Sequence, residues 1–278
     1  MRRIKIVADS SCDLFTLDDT AFSCAPMKII TDEKEFSDIP SLNVGEMVEY
    51  LYAYKGKSKS SCPNTSDWLD AFGDADDIFC FTITSGLSGS YNSACAAKEM
   101  YETENEGVRV HVFDSLSAGP EITLAIEKTV ECIKKDMTYE DICDTVSAYM
   151  NQTGLVFMLK SLKNFANNGR VSPIIAKLVG IAGICIVGKA SLEGTLEPMH
   201  KPRGERRALK TLVETLETEN FKKGKISISH CQNESAAEQL KELILSKFKD
   251  TQIEIHKTHG LCSFYAEKGG ILVGFEKA

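Results

Sequence analysis

The stretch Ile78-Phe-Cys-Phe-Thr-Ile-Thr-Ser-Gly-Leu-Ser-Gly-Ser-Tyr-Asn-Ser93 decides how this chain is read. Residues 78–82 form a compact apolar run of strand length. Residues 84–90 are small and hydroxyl-rich, and a helix is expected from about 91 to 101. Outward from it the rhythm repeats. Upstream come a strand at 4–7 and a polar turn at 9–13. A hairpin is expected from 25–30 and 34–36. Asn43 with Glu46 then marks the start of a helix over 44–54, a polar loop covers 55–61, and a short helix spans 65–72. Downstream lies a strand at 108–113. Ile122, Ile126, Val130 and Ile133 share one face of a helix over 122–135, and Thr138 with Asp141 caps the next helix. Strands separated by helices in this way argue for a parallel sheet with covered faces.

Beyond Gly154 the pattern restarts. Strands are expected at 155–158, 184–187, 195–199, 226–230, 251–257 and 271–275, with helices at 206–216 and 235–249. Ser235 and Glu238 have capping-box spacing at the start of the second of these helices. The expected fold class is therefore α/β, with two α/β domains at 1–153 and 154–278. The first is built on a mainly parallel sheet covered by helices.

The composition bounds function. The 278 residues carry a net charge of −8, which argues against nucleic acid as the main partner. No apolar run approaches the roughly 18 residues of a membrane span, and the stretch before Asp9 is too short for a signal-peptide core, so a soluble cytoplasmic protein without stable membrane insertion is expected. Ten cysteines occur without a C-x-x-C pair, mostly inside apolar runs, a pattern that fits buried thiols rather than zinc or a disulfide framework. His256 and His259 have no evident third ligand, and no metal is expected.

The loop over 84–90 sits where a parallel sheet usually holds its ligand, beyond a strand's carboxyl end. Free N–H groups at a helix start favour an anion, serine hydroxyls add donors without charge, and glycine lets backbone approach closely. Ordinary helix capping accounts for the same residues equally well. Gly86-Leu-Ser-Gly-Ser90 also approaches the nucleophile elbow G-x-S-x-G, but Ser90 stands at its last glycine and no histidine motif accompanies Ser88. Gly183-Ile-Cys-Ile-Val-Gly-Lys-Ala190 approaches a P-loop, but Ala190 replaces the magnesium-binding hydroxyl and its variable positions are apolar. Two further polar segments stand out, Lys59-Ser-Ser-Cys-Pro-Asn64 and Asn167-Asn-Gly-Arg-Val-Ser172. Arg203, Arg206 and Arg207 cluster at a helix start, where positive charge opposes the helix dipole.

Taken in order, Asp9-Ser-Ser-Cys-Asp13, Ser60-Ser-Cys-Pro63, Ser85-Gly-Leu-Ser-Gly-Ser-Tyr91, Asp114-Ser115, Gly169-Arg170 and the helix start at Arg203 resemble the DegV family over nearly the whole chain. That resemblance implies two α/β domains with a ligand tunnel at or near their junction, holding a long-chain fatty acid. It implies a lipid-binding carrier and not an enzyme, with no cofactor, which presents the carboxylate to a separate fatty acid kinase for acyl-phosphate formation. Carried over by position, Ser60 (or its neighbour Ser61), Ser88 and the Gly89 N–H hold the carboxylate. Arg170 neighbours the head group, and Arg203 is a kinase-contact position. The alternatives are an acyl-processing serine enzyme using Ser88 and a phosphate- or nucleotide-binding protein using the same loop. One departure stands out. Many members carry His-x-Gly-Pro-Gly near the C-terminus, and counting back from the last strand sets that histidine near Phe264 or Tyr265 rather than at His259.

Overall fold

The computed structural model describes residues 2–172, 175 and 183–278. In chain order the elements are β1 (Ile4–Asp9), β2 (Phe22–Ala25), β3 (Lys28–Thr31), β4 (Glu35–Ser37), α1 (Val44–Ala53), β5 (Ser58–Ser61), α2 (Thr65–Phe72), β6 (Asp77–Thr82), α3 (Ser90–Glu104), β7 (Arg109–Asp114), α4 (Pro120–Lys134) and α5 (Tyr139–Met150). They continue with β8 (Thr153–Leu159), α6 (Lys163–Asn167), β9 (Ile186–Ala190), β10 (Leu196–His200), α7 (Glu205–Thr218), β11 (Gly224–His230), α8 (Glu234–Lys247), β12 (Thr251–Lys257), α9 (Gly260–Ala266) and β13 (Ile271–Glu276).

A strand apolar at every position must be covered on both faces. The first sheet meets that demand in the order β2-β1-β6-β7, with every pairing parallel. Side chains alternate across it. Ile6, Ala8, Phe79 and Phe81 pack beneath Ile122 and Ile126 of α4 and Val146 of α5. Val7, Ile78 and Cys80 face the other way, against Trp68 and Phe72 of α2 and Ala94 and Ala97 of α3. The second sheet has the order β10-β9-β8-β13-β11-β12 and is mixed, since only β11 and β12 run parallel. Val156 and Met158 turn toward Leu209 and Leu212 of α7 and Leu240 of α8. Phe157 and Leu159 turn the opposite way, toward Met47 and Val48 of α1 and Phe264 of α9. No helix among the described residues is long and apolar enough to cross a membrane.

Several local expectations are corrected. The hairpin expected from 25–30 and 34–36 is present as β3 and β4, but its first strand starts later, after Pro26, which lacks an N–H and a free φ. Ala25 therefore closes β2 in the parallel sheet, while β3 pairs with β4 and with β5 in a separate antiparallel sheet. The polar loop over 55–61 contains β5, because backbone pairing with β3 overrides its polar side chains. Ser235 does not cap α8. That helix starts one residue earlier, and the Asn233 side chain before it donates instead to Glu205 Oε2 (2.8 Å) and the Gly269 carbonyl (3.0 Å). The glycine-lysine run ending at Ala190 lies partly in β9, whose extended backbone pairs on both edges and forms no phosphate cradle.

One ion cluster makes stability depend on pH. Asp77 is buried and accepts from Arg109 Nε (2.7 Å) and Nη2 (2.9 Å) and from Arg2 Nε (2.7 Å) and Nη2 (2.6 Å). Burial pushes its carboxyl up, but hydrogen bonds and charge from Arg109 and Arg2 outweigh it, and the net pKa lies below the usual range. A depressed carboxylate contributes stability above the unfolded-state pKa of about 3.9, and that contribution disappears as pH falls through the folded value. Asp77→Asn is therefore expected to be less stable at neutral pH and to lose less further stability below about pH 4. Denaturant titrations across pH test this, and parallel curves for both proteins contradict it.

Candidate functional site

The sequence places acids at the ends of the two parallel strands that flank β6, Asp9 on β1 and Asp114 on β7, and both carboxylates hold the loop that follows β6. Asp9 is fully buried. Its Oδ2 accepts the Ile83 N–H (2.9 Å) and the Ser90 hydroxyl (2.5 Å), and its Oδ1 accepts the Ser11 N–H (3.2 Å) and the Ser11 hydroxyl. Burial pushes the Asp9 carboxyl up against the pull of these four bonds. Asp114 Oδ1 accepts the Ser85 N–H (3.0 Å) and the Leu116 N–H (3.2 Å). Gripped at both ends, the loop runs Thr84-Ser-Gly-Leu-Ser-Gly89 into α3. Gly86 is required there, because a Cβ would stand 2.5 Å from the Glu193 carbonyl on the β9–β10 turn.

A second anchor positions α9. Asp38, also fully buried, accepts the Gly260 and Leu261 N–H groups (2.8 Å each) and bonds the His259 ring, while Asp13 Oδ1 accepts the His259 N–H (2.7 Å). Burial drives the Asp13 carboxyl well above its ordinary range. These contacts lock a short helix, with glycine at its first position, that periodicity does not reveal. They bring Leu261, Cys262, Tyr265 and Ala266 to the space beyond the first sheet.

That space is a cavity of about 310 Å³, within the size range of small-molecule sites. Ile83, Thr84 and Leu87 follow β6, Ser117 and Ala118 follow β7, and Leu155, Phe157 and Leu159 come from one face of β8. Its wall is mostly apolar, with Thr84, Ser117 and Thr195 among the polar exceptions. Ser60, Ser61, Ser88, Gly89 and Arg170, separated by up to 110 positions in the chain, all line it. Ser60 Oγ lies 2.7 Å from Tyr265 Oη, whereas Ser61 is exposed and donates to the Cys62 carbonyl (3.3 Å). Ser88 Oγ accepts the Ser90 N–H (3.2 Å), and Gly89 precedes the first turn of α3. Arg170 is exposed, its Nε donating to the Leu87 carbonyl (3.0 Å). Arg203 lies elsewhere. It is exposed just before α7, next to an isolated bridge with Ile184.

The arrangement suits an anion with a long apolar tail. A helix N-terminus, two serine hydroxyls and a guanidinium share one cavity wall, and most of the rest of that wall is hydrocarbon. Among the described residues no histidine, the usual base of a serine nucleophile, lines the cavity with Ser88. His259 is turned away, its ring 4.3 Å from that of Phe15. Tyr265 lines the cavity instead, and burial pushes its phenol up, so it stays neutral. Three functional positions escaped residue reading. Tyr265 was signalled only as the place to which the family histidine counts back, Asp9 only as the first residue of a family motif with no role assigned, and Asp38 not at all.

A family model described as "Uncharacterised protein, DegV family" matches residues 3–278. A DegV domain-containing protein of Streptococcus gordonii is 41% identical over 276 residues, covering 98% of each chain. Two solved structures are each 40% identical with a TM-score of 0.96. One is a DegV family protein from Eubacterium eligens loaded with heptadecanoic acid, covering 99% of this chain and 100% of that one. The other is the Streptococcus pneumoniae fatty acid kinase (Fak) B3 protein loaded with linoleic acid, covering 99% of both chains.

Proposed function

The chain belongs to the DegV family, and from that premise we propose that it binds one long-chain fatty acid and presents the carboxylate to a fatty acid kinase. The observation that carries this reading is one mostly apolar cavity whose wall also holds Ser60, Ser88, Gly89 and Arg170. A carboxylate removed from water needs several donors, and Ser60, Ser88, the Gly89 N–H and Arg170 are the groups proposed to supply them. Each buried methylene contributes roughly 0.8 kcal/mol, against the cost of association. Ser61, Gly89 and Arg170 are exposed, which favours a head group held at the surface, where a second protein reaches it. The 40% identical structures loaded with fatty acids support the ligand class.

On this reading the protein works without a cofactor and without nucleic acid. It orients the carboxylate, and the kinase supplies the phosphoryl transfer. The division at 153/154 is proposed to separate the carboxylate-binding loops from the sheet that completes the tunnel. Denaturing extraction of purified protein should release a fatty acid near one equivalent. Failure to bind any fatty acid after delipidation would sink the reading.

Two variants separate binding from presentation. Tyr265→Phe removes the phenol that supports Ser60, and is expected to weaken fatty-acid binding about five-fold, the value of one neutral hydrogen bond. A competition assay with a fluorescent fatty acid reads it, and an unchanged midpoint contradicts the support. Arg203→Glu is expected to leave that midpoint unchanged while lowering acyl-phosphate formation with the kinase at least ten-fold. Equal turnover by both proteins would remove Arg203 from the partner surface.

A further inference from the structure

The cavity has a far end as well as a mouth. Leu155, Phe157 and Leu159 share one face of β8, because alternate strand residues point the same way. Leu159 clusters with Phe165 and Tyr265, and so marks the mouth beside Ser60. Leu155, four residues back, lies on the order of 13 Å further in. Val156 pairs with Lys189 across β8 and β9, which brings Leu155 beside Ala190. Both residues line the cavity, and both also line a second concavity of about 390 Å³ on their other side.

That second space is more polar. His111, Asp114, Glu121, Asn151 and Lys277 contribute to its walls, beside apolar residues such as Phe113 and Met150. Glu121 is buried there and accepts the Thr153 hydroxyl at 2.7 Å. An acyl methyl group that passed Leu155 would leave a mostly hydrocarbon lining for one that includes Asp114, Glu121 and Lys277, where burial against polar atoms brings less gain and strips them of water. One layer of side chains, a buried leucine and a half-buried alanine, thus divides a mostly apolar chamber from a mixed, more polar one.

Resting on the fatty-acid reading above, we propose that Leu155 and Ala190 form the partition that sets the longest acyl chain this protein accepts. Chain-length selection then resides at this partition and not at the carboxylate clamp. Up to the limit, each added methylene finds apolar wall and tightens binding about four-fold. Beyond it, an added methylene must bend the chain or enter the more polar space, and affinity stops rising.

The test is titration of delipidated protein with a series of saturated fatty acids lengthened one carbon at a time, below their micelle concentrations. The parent is expected to gain about four-fold per carbon and then break to a plateau or fall. In Leu155→Ala the break should move out by about two carbons, the room a leucine yields on becoming alanine. In Ala190→Leu it should move in by a similar step, with shorter acids bound as in the parent. Circular dichroism checks that each variant folds, and Ala190→Leu decides alone if Leu155→Ala does not. An unchanged break in every folded variant overturns the partition while leaving fatty-acid binding intact. A parent that binds no acid in the series overturns the binding reading together with it.

Discussion

Asp9→Ala is expected to lower the unfolding free energy by about 3–5 kcal/mol, the largest single effect on stability foreseen in the molecule. The substitution leaves the Ile83 and Ser11 N–H groups and the Ser11 and Ser90 hydroxyls without their acceptor, in a site closed to water. A buried donor left unpaired costs about 1–3 kcal/mol, and some of the four will find partial substitutes. Asp9→Asn should fall between the parent and the alanine variant, because its amide retains one acceptor oxygen. Any Asp9→Ala protein that folds should also bind fatty acid weakly, since Ile83 and Ser90 flank the loop that carries Ser88 and Gly89. Chemical denaturation measures the first effect and a binding titration the second. Parent-like stability for Asp9→Ala would show that the loop is held by something other than this carboxylate.

The largest effect on binding is expected from the Ser60→Ala and Ser88→Ala pair. A hydrogen bond to a charged group contributes about 1.5–3 kcal/mol, so each single change should weaken fatty-acid binding about ten- to hundred-fold. The loss should be specific to the acid. A methyl ester of the same chain length has no carboxylate to clamp and should bind the parent and both variants alike. Neither substitution should cost more than about 1 kcal/mol of stability, because both side chains are only half-buried. If acid and ester lose affinity in parallel, the serines shape the cavity and do not hold the carboxylate.

How far the sequence foretold this molecule differs from element to element, for physical reasons. The parallel sheet was legible because the middle of β6, Ile78–Phe81, is wholly apolar and the segments around it alternate strand and helix. The caps at Asn43 and Thr138 were legible because they are local, and both side chains accept the expected N–H groups from Glu46 and Asp141. β5 was not, since a strand of serine and lysine owes its existence to the partner β3 across the sheet. α9 was not, since contacts from Asp13 and Asp38, more than 200 positions away in the chain, hold its first turn.

The site divides along the same line. Ser60, Ser88, Gly89 and Arg170 were picked out by resemblance to a family, and the fold draws them to one cavity wall. The cavity itself was invisible. Along β8, Val156 and Met158 enter the core while Leu155, Phe157 and Leu159 face the cavity. Both sets are apolar, and no pattern of side chains distinguishes a wall that touches protein from one that touches a ligand. Tyr265 illustrates the reverse case. Its neighbours make it look like part of an apolar helix face, and only its 2.7 Å approach to Ser60 reveals a polar task.

The central claim is that a single fatty acid lies in this cavity with its carboxylate at the Ser60 and Ser88 end. The most direct measurement is calorimetric titration of delipidated protein with a C18 fatty acid, followed by the same titration with its methyl ester. The account predicts saturable binding of one acid per chain, with the ester at least ten-fold weaker. No saturable heat with the acid, or equal affinity for acid and ester, would contradict it.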